Sequence, residues 1–180
     1  MRCGKGIVSL HKLPTSRPLV SKFAVDCIEM WLTQCASRRY RNIKELLILC
    51  DNGGSNGARR RLWKYELYHA LCNQYGISIR VCHYPTGASK WNPVEHRLFS
   101  FITDNWQGRP LRSFDIALEC IRSTETKKGL KVEALLNKNQ YHKGIKVKDS
   151  EMQNIGFIPH DQLPLWNYWI VPKGNMKNAN

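Results

Sequence analysis

The stretch LLILCDNGGSNG, Leu46 to Gly57, constrains the chain more than any other. Leu46 to Cys50 is a short unbroken apolar run, which fits a strand covered on both faces, as in a parallel sheet. The run stops at Asp51 and gives way to a loop marked by Gly53, Gly54 and Gly57. Ala58 to Tyr75 then carries Trp63, Leu67, Ala70 and Leu71 at helical spacing, and Gly76 is placed to stop that helix. In open α/β sheets, sites form beyond the carboxyl ends of strands, which is where Asp51 stands.

The flanking segments extend this alternation. Val20, Phe23, Ala24, Cys27, Ile28, Trp31 and Leu32 predict an amphipathic helix, followed by a basic turn at Arg38, Arg39 and Arg41. Ile77, Ile79 and Val81 alternate with polar positions and predict a strand with one drier face, near a sheet edge. After the loop PTGASKWNP, Asn92 can cap a helix, Pro93 suits its first position, and Leu98, Phe99, Ile102 and Trp106 form its apolar face. QGRP ends it, and a shorter helix is predicted over Phe114–Arg122 with Ser113 as cap. KKGLKVEALLN and KGIKVKD alternate basic and apolar residues without deciding an element. The order of elements predicts an α/β layer with parallel neighbours. Residues 1–19 form an atypical segment with no clear period, 20–170 read as one domain, and 171–180 as a polar tail.

Composition narrows the partner. The chain of 180 residues has 28 Lys+Arg against 14 Asp+Glu, a formal charge of +14. That excess favours a polyanion, most often nucleic acid, although a basic surface alone does not require one. The seven cysteines include no C-x-x-C pair, which argues for free thiols in a reducing compartment rather than a disulfide frame or zinc ribbon. The apolar stretch in MRCGKGIVSL is too short for a signal peptide, and nothing approaches a membrane span, so a cytoplasmic location is expected.

Two acids stand out. Asp51 lies in good turn chemistry, and Glu95 lies where a capping box would put a glutamate, so each has an ordinary structural role available. Together they are more specific, because two carboxylates delivered to one sheet edge repel unless a cation lies between them. Mg²⁺ is held by few carboxylates and keeps exchangeable waters; two such ions about 4 Å apart serve phosphodiester chemistry. Arg59, Arg60, Arg61 and Lys64 follow the first acid, and Lys90, Trp91, His96 and Arg97 flank the second. Cations neutralise phosphates, and Trp91 can stack on a splayed base, whereas a solvated helix face accounts for the arginine run equally well. His83 and His96 could orient water or phosphate, though a lone histidine is commonly just a satisfied polar group. The glycine loop lacks both the P-loop Gly-Lys-Ser/Thr and the spaced glycines of dinucleotide sites.

LLILCDNGGSNGARRRLWKYEL, VCHYPTGASKWNPVEHRLFSFITDNWQGRPL and the stretch from KKGLKV to KGIKV resemble the ISAzo-type family of DDE transposases of bacterial insertion sequences, over about Val20 to Ile170. The resemblance implies an α/β, ribonuclease H-like (retroviral integrase-like) catalytic core. It implies three acids holding two Mg²⁺ or Mn²⁺ ions, which cut DNA ends and join a 3′-hydroxyl to a target. Asp51 matches the second acid and Glu95 the third. The partner implied is DNA, both element ends and target, with no membrane and with homo-oligomerisation left open. The first acid should precede the helix near Val20, but residues 1–25 contain no Asp or Glu, and Asp26 falls inside that helix. The expectation is therefore the C-terminal portion of a transposase catalytic domain, incomplete at its N-terminal strands and inactive alone. Two readings compete with it: a non-catalytic, basic nucleic-acid-binding protein, and a different metal-dependent nuclease drawing a further acid from Glu66, Asp104 or Glu119.

Overall fold

The computed structural model describes residues 6–11, 21–85, 87–88, 93–110, 112–127, 129 and 132–175, with the backbone alone at 6–11, 93–97 and 175. The chain divides into two compact units, Pro18–Ala88 with Tyr141–Asn180, and Met1–Arg17 with Ser89–Gln140. No shift in composition marks the division, because each unit is assembled from stretches distant in sequence.

The larger unit holds a four-stranded sheet in the order β2 (Glu45–Asp51), β3 (Ser78–Tyr84), β6 (Asn167–Ile170), β5 (Phe157–Pro159). β2 and β3 run parallel, while β6 lies antiparallel to both β3 and β5, so the sheet is mixed. The helix predicted from Val20 appears as α1 (Ser21–Trp31), a wider π-helical turn over Leu32–Ala36, and the single turn α2 (Ser37–Arg39). The second predicted helix appears as α3 (Arg61–Glu66) continued by a π-helical stretch, Leu67–Asn73. Trp63, Leu67 and Leu71 recur every four residues and are essentially fully buried with Val25, Ile79, Val81, Tyr168 and Ile170. Gly76 takes φ 63°, the left-handed conformation that ends the helix at low cost to glycine. Lys22 ties α1 to α3, its ammonium 3.3 Å from Asp26 and 3.6 Å from Glu66. Burial pulls the Lys22 pKa down, but the charges of Glu66 and Asp26 outweigh it and raise it.

The two strands exchange the environments expected of them. The apolar run Leu46–Cys50 was expected to be covered on both faces, yet β2 lies at the sheet edge and its residues alternate in exposure. Leu47 and Leu49 are 57% and 51% exposed. The alternating strand β3, expected near an edge, lies inside the sheet with Ile79 and Val81 fully buried. Its polar positions are accommodated because Arg80 stacks over the Trp169 ring at 5.3 Å and meets His160 at 3.1 Å.

In the smaller unit, β1 (Gly6–His11) pairs in parallel with β4 (Val132–Asn137). α4 (Pro93–Trp106) and α5 (Phe114–Arg122) complete it, and Ile102, Leu118, Ile121, Val132 and Ala134 form its core. α4 begins at Pro93 as expected, whereas the proposed cap, Asn92, lies outside the described residues. Ser113 caps α5, its hydroxyl accepting the Ile116 N–H at 3.2 Å. Two segments are corrected here: the stretch set aside as lacking a period contains β1, and KKGLKVEALLN contains β4. Among the described residues, no helix is long and apolar enough to cross a membrane.

Candidate metal and nucleic-acid site

β2 delivers Asp51 to its carboxyl end, on the face that also carries the exposed Leu47 and Leu49. The glycine loop then folds tightly beside the acid. The Asn52 side-chain oxygen accepts the Ala58 N–H at 2.9 Å, bridging the loop from end to end. A Cβ on Gly53 would lie 3.4 Å from the Asp51 carboxylate, and one on Gly57 would lie 3.3 Å from the Asn52 carbonyl. Gly54 takes φ 65°. Ser21 donates to the Ser55 carbonyl at 2.5 Å, fixing the loop to α1. Beside the acid, the Cys50 thiol is pushed up to about 12, first by burial and then by the negative charge of Asp51.

The basic run after the loop splits into two pairs. Arg59 and Arg60 are exposed, and the Arg60 Nε donates to the Gly54 carbonyl at 3.2 Å. Arg61 is paired with Asp149 at 2.5 Å, in the short helix α6 (Asp149–Gln153). Lys64 sits over two rings, 4.6 Å from the Phe157 centroid and 4.9 Å from that of Tyr168. Burial, then the neighbouring charge of Arg61, lowers the Lys64 pKa. Its place is a packing one, behind the surface that Arg59 and Arg60 present.

Glu95, His96 and Arg97 fall in the first turns of α4, in the smaller unit, where the backbone alone is described. Lys90 and Trp91 lie outside the described residues. His83 is a buried structural group, its two ring nitrogens 2.8 Å from the Trp166 carbonyl and 2.9 Å from the Asn56 carbonyl.

The other candidate acids have duties of their own or stand on helices. Asp26 is nearly buried in α1, accepting a hydrogen bond from the Tyr141 hydroxyl at 2.7 Å in addition to its pairing with Lys22. Glu66 is the second partner of Lys22. Asp104 and Glu119 are exposed on α4 and α5. Among the described residues, no group of three or more His, Cys, Asp and Glu side chains is placed to hold a metal. Asp51 supplies one hard, exposed oxygen ligand, which suits Mg²⁺ or Mn²⁺ in kind.

Sequence reasoning missed the walls of a groove that begins at the glycine loop. A cavity of about 570 Å³ is lined by Arg59, Arg60, Lys143 and Lys146 among others. A second, of about 540 Å³, is lined by Asn52, Arg59, Arg60 and Trp166. The only local signal was the pair of lysines in KGIKV, three residues apart.

The fold and this site define a mixed α/β domain with an exposed acid at a strand end, and a basic groove that includes Gly54 of the loop after it. The chain belongs to the family described as Rhodopirellula transposase DDE domain, which it matches over residues 5–172, and is thus a domain of the DDE-type insertion-sequence transposases. The match begins ahead of Val20, where the resemblance starts, and it includes β1. No curated protein and no solved structure matches the chain.

Proposed function

We propose that this chain contributes Asp51 and Glu95 as two of the three carboxylates of a DNA-transposing site on a ribonuclease H-like sheet. The observation that carries this reading is the Asp51 carboxylate, exposed at the end of β2 and followed by a glycine loop whose Gly54 carbonyl accepts from Arg60. Asp51 and Glu95 would hold Mg²⁺ or Mn²⁺; when bound, the metal supplies activation of the attacking oxygen and stabilisation of the leaving one. In this reading Arg59 and Arg60 hold the phosphodiester backbone.

The first acid is assigned to no residue of this chain. Asp26 belongs to a helix and is engaged by Lys22 and Tyr141. Glu66 is committed to Lys22. With one ligand and its charge lacking, metal affinity is weak and the isolated chain does not transpose DNA.

Titration of the purified chain with Mn²⁺, followed by water-proton relaxation, tests the assignment. Binding is expected to be weak and to fall at least tenfold in both Asp51→Asn and Glu95→Gln, as loss of one carboxylate from a two-carboxylate site requires. Unchanged binding in either variant removes that residue from the site. Mg²⁺-dependent strand transfer by the purified chain, abolished by Asp51→Ala, overturns the inactivity.

The groove supports a second reading, that of a non-catalytic nucleic-acid-binding protein, because Arg59, Arg60, Lys143 and Lys146 line it without any help from Glu95. Salt-dependent binding is common to both readings; metal binding that depends on Asp51 separates them.

A further inference from the structure

We infer that the larger unit carries a track for one unstacked nucleic-acid strand, from Lys143 and Lys146 across Arg59 and Arg60 to Trp166. The inference rests on the reading above only for the class of partner, not for the metal or the chemistry.

The two cavities lie in one unit and share Gly54, Arg59 and Arg60. They therefore read as consecutive stretches of a single groove on either side of those arginines. The first is walled by the segment Lys143–Val147, the second by Asn52 and Trp166. Among the described residues, no carboxylate ion-pairs with Arg59, Arg60, Lys143 or Lys146; the neighbouring Arg61 is the one neutralised, by Asp149. Four like charges along a concave surface repel one another until an anion enters. A small anion would answer one end of the groove. A polymer with a charge at every repeat answers both.

Trp166 decides between a duplex and a single strand. Its backbone is pinned on both sides: the carbonyl lies 2.8 Å from the His83 Nδ1 and accepts from the His83 backbone N–H at 3.2 Å. Its own N–H donates to the Leu163 carbonyl at 2.8 Å. Trp166 is half-buried and lines the second cavity from this held backbone. An aromatic wall offers its face to a base, and only a base out of its stack can use it.

The test is fluorescence anisotropy of the full chain with labelled oligothymidylate of about 12 nucleotides, within the range of strand-binding site sizes, and with a duplex of equal length. Both are run in EDTA across about 50 to 200 mM salt, where counterion release is read. Lys143→Gln with Lys146→Gln is expected to reduce the single-strand salt slope by about 1.4, at about 0.7 per phosphate contact. Lys127→Gln with Lys138→Gln, exposed lysines of the smaller unit, is expected to leave it unchanged. Trp166→Ala should weaken single-strand binding about fivefold or more, Trp166→Phe should restore it, and duplex binding should move less than twofold. An oligonucleotide made abasic throughout should bind the unaltered chain about fivefold or more weakly, a measurement independent of how the Trp166 variants fold. Equal slope changes in the two lysine pairs, or equal affinity for abasic and intact strands, overturns the track. Because no metal is present, either failure leaves the Asp51 and Glu95 assignment standing, and loss of that assignment leaves the track.

Discussion

The Nε2 of His83 lies 2.9 Å from the carbonyl oxygen of Asn56, while the Nδ1 of the same ring lies 2.8 Å from the carbonyl of Trp166. One buried imidazole at the end of β3 thus fastens the glycine loop beside Asp51 to the loop between β5 and β6. A neutral ring has one N–H for these two acceptors, and the doubly protonated ring has two.

Replacing that ring removes both attachments at once. His83→Ala leaves two carbonyls without their ring partner and should cost about 2 kcal/mol. For a chain of this length that corresponds to about 4–8 °C in melting temperature, read by circular dichroism. An unaltered melt would mean that the two loops hold their places without it.

Among the described glycines, Gly156 is the one least able to accept a side chain. A Cβ there would stand 2.0 Å from the Val171 carbonyl oxygen, a backbone atom with no flexible end to yield. The same two residues share a hydrogen bond, Val171 N–H to Gly156 carbonyl at 2.8 Å. Gly156→Ala should destabilise by more than about 3 kcal/mol and yield mostly insoluble protein. Gly174→Ala, which would meet nothing within 4 Å, should be nearly neutral in urea denaturation.

Two thiols give a pH dependence with a definite sign. Burial raises Cys72 to about 12 and, with the added charge of Asp51, Cys50 to about 12, from an ordinary 9.0. The folded chain therefore holds protons that the unfolded chain releases. The stabilisation is complete below pH 9.0 and is lost as pH climbs toward about 12, at about 1.4 kcal/mol per pH unit for each thiol. Urea titrations through this window should show the decline. Cys50→Ser with Cys72→Ser should lessen it, leaving the part that the raised Tyr68, Tyr75 and Tyr168 hydroxyls contribute. At neutral pH both native thiols should react with a maleimide far more slowly than the same thiols in urea.

Lys64 offers a direct comparison with its arginine neighbours. Its ammonium covers the rings of Phe157 and Tyr168 and is itself half-buried. Lys64→Met keeps the apolar stem and sheds a partly desolvated charge, so stability should change by less than about 1 kcal/mol. The salt slope of DNA binding should stay as it is, while Arg59→Gln with Arg60→Gln lowers it by about 1.4 on single strands. A fall in slope for Lys64→Met equal to that of one arginine would place the ammonium on DNA.

These contrasts mark where sequence is a good guide. The stop at Gly76, the cap at Ser113 and the start at Pro93 were legible because each depends on chemistry within one helical turn. The position of Asp51 was legible for the same reason, as the end of a local apolar run. The exposure of Leu47 and Leu49 was not, because it is set by which strands neighbour β2, and β6 arrives from far along the chain. Nor was the withdrawal of Lys64, whose covering rings come from β5 and β6, segments with no periodic signature of their own. The lysines of KGIKV looked like an undecided alternation, since what gives them meaning is the groove they close with Arg59 and Arg60.

The insertion of β6 between β3 and β5 has a consequence for biosynthesis. The inner flank of β3 stays bare until the ribosome has translated the whole intervening stretch, including the smaller unit's helices. A nascent chain interrupted before Asn167 would offer that flank to any passing strand, so proteases and chaperones, rather than DNA, would be its first company.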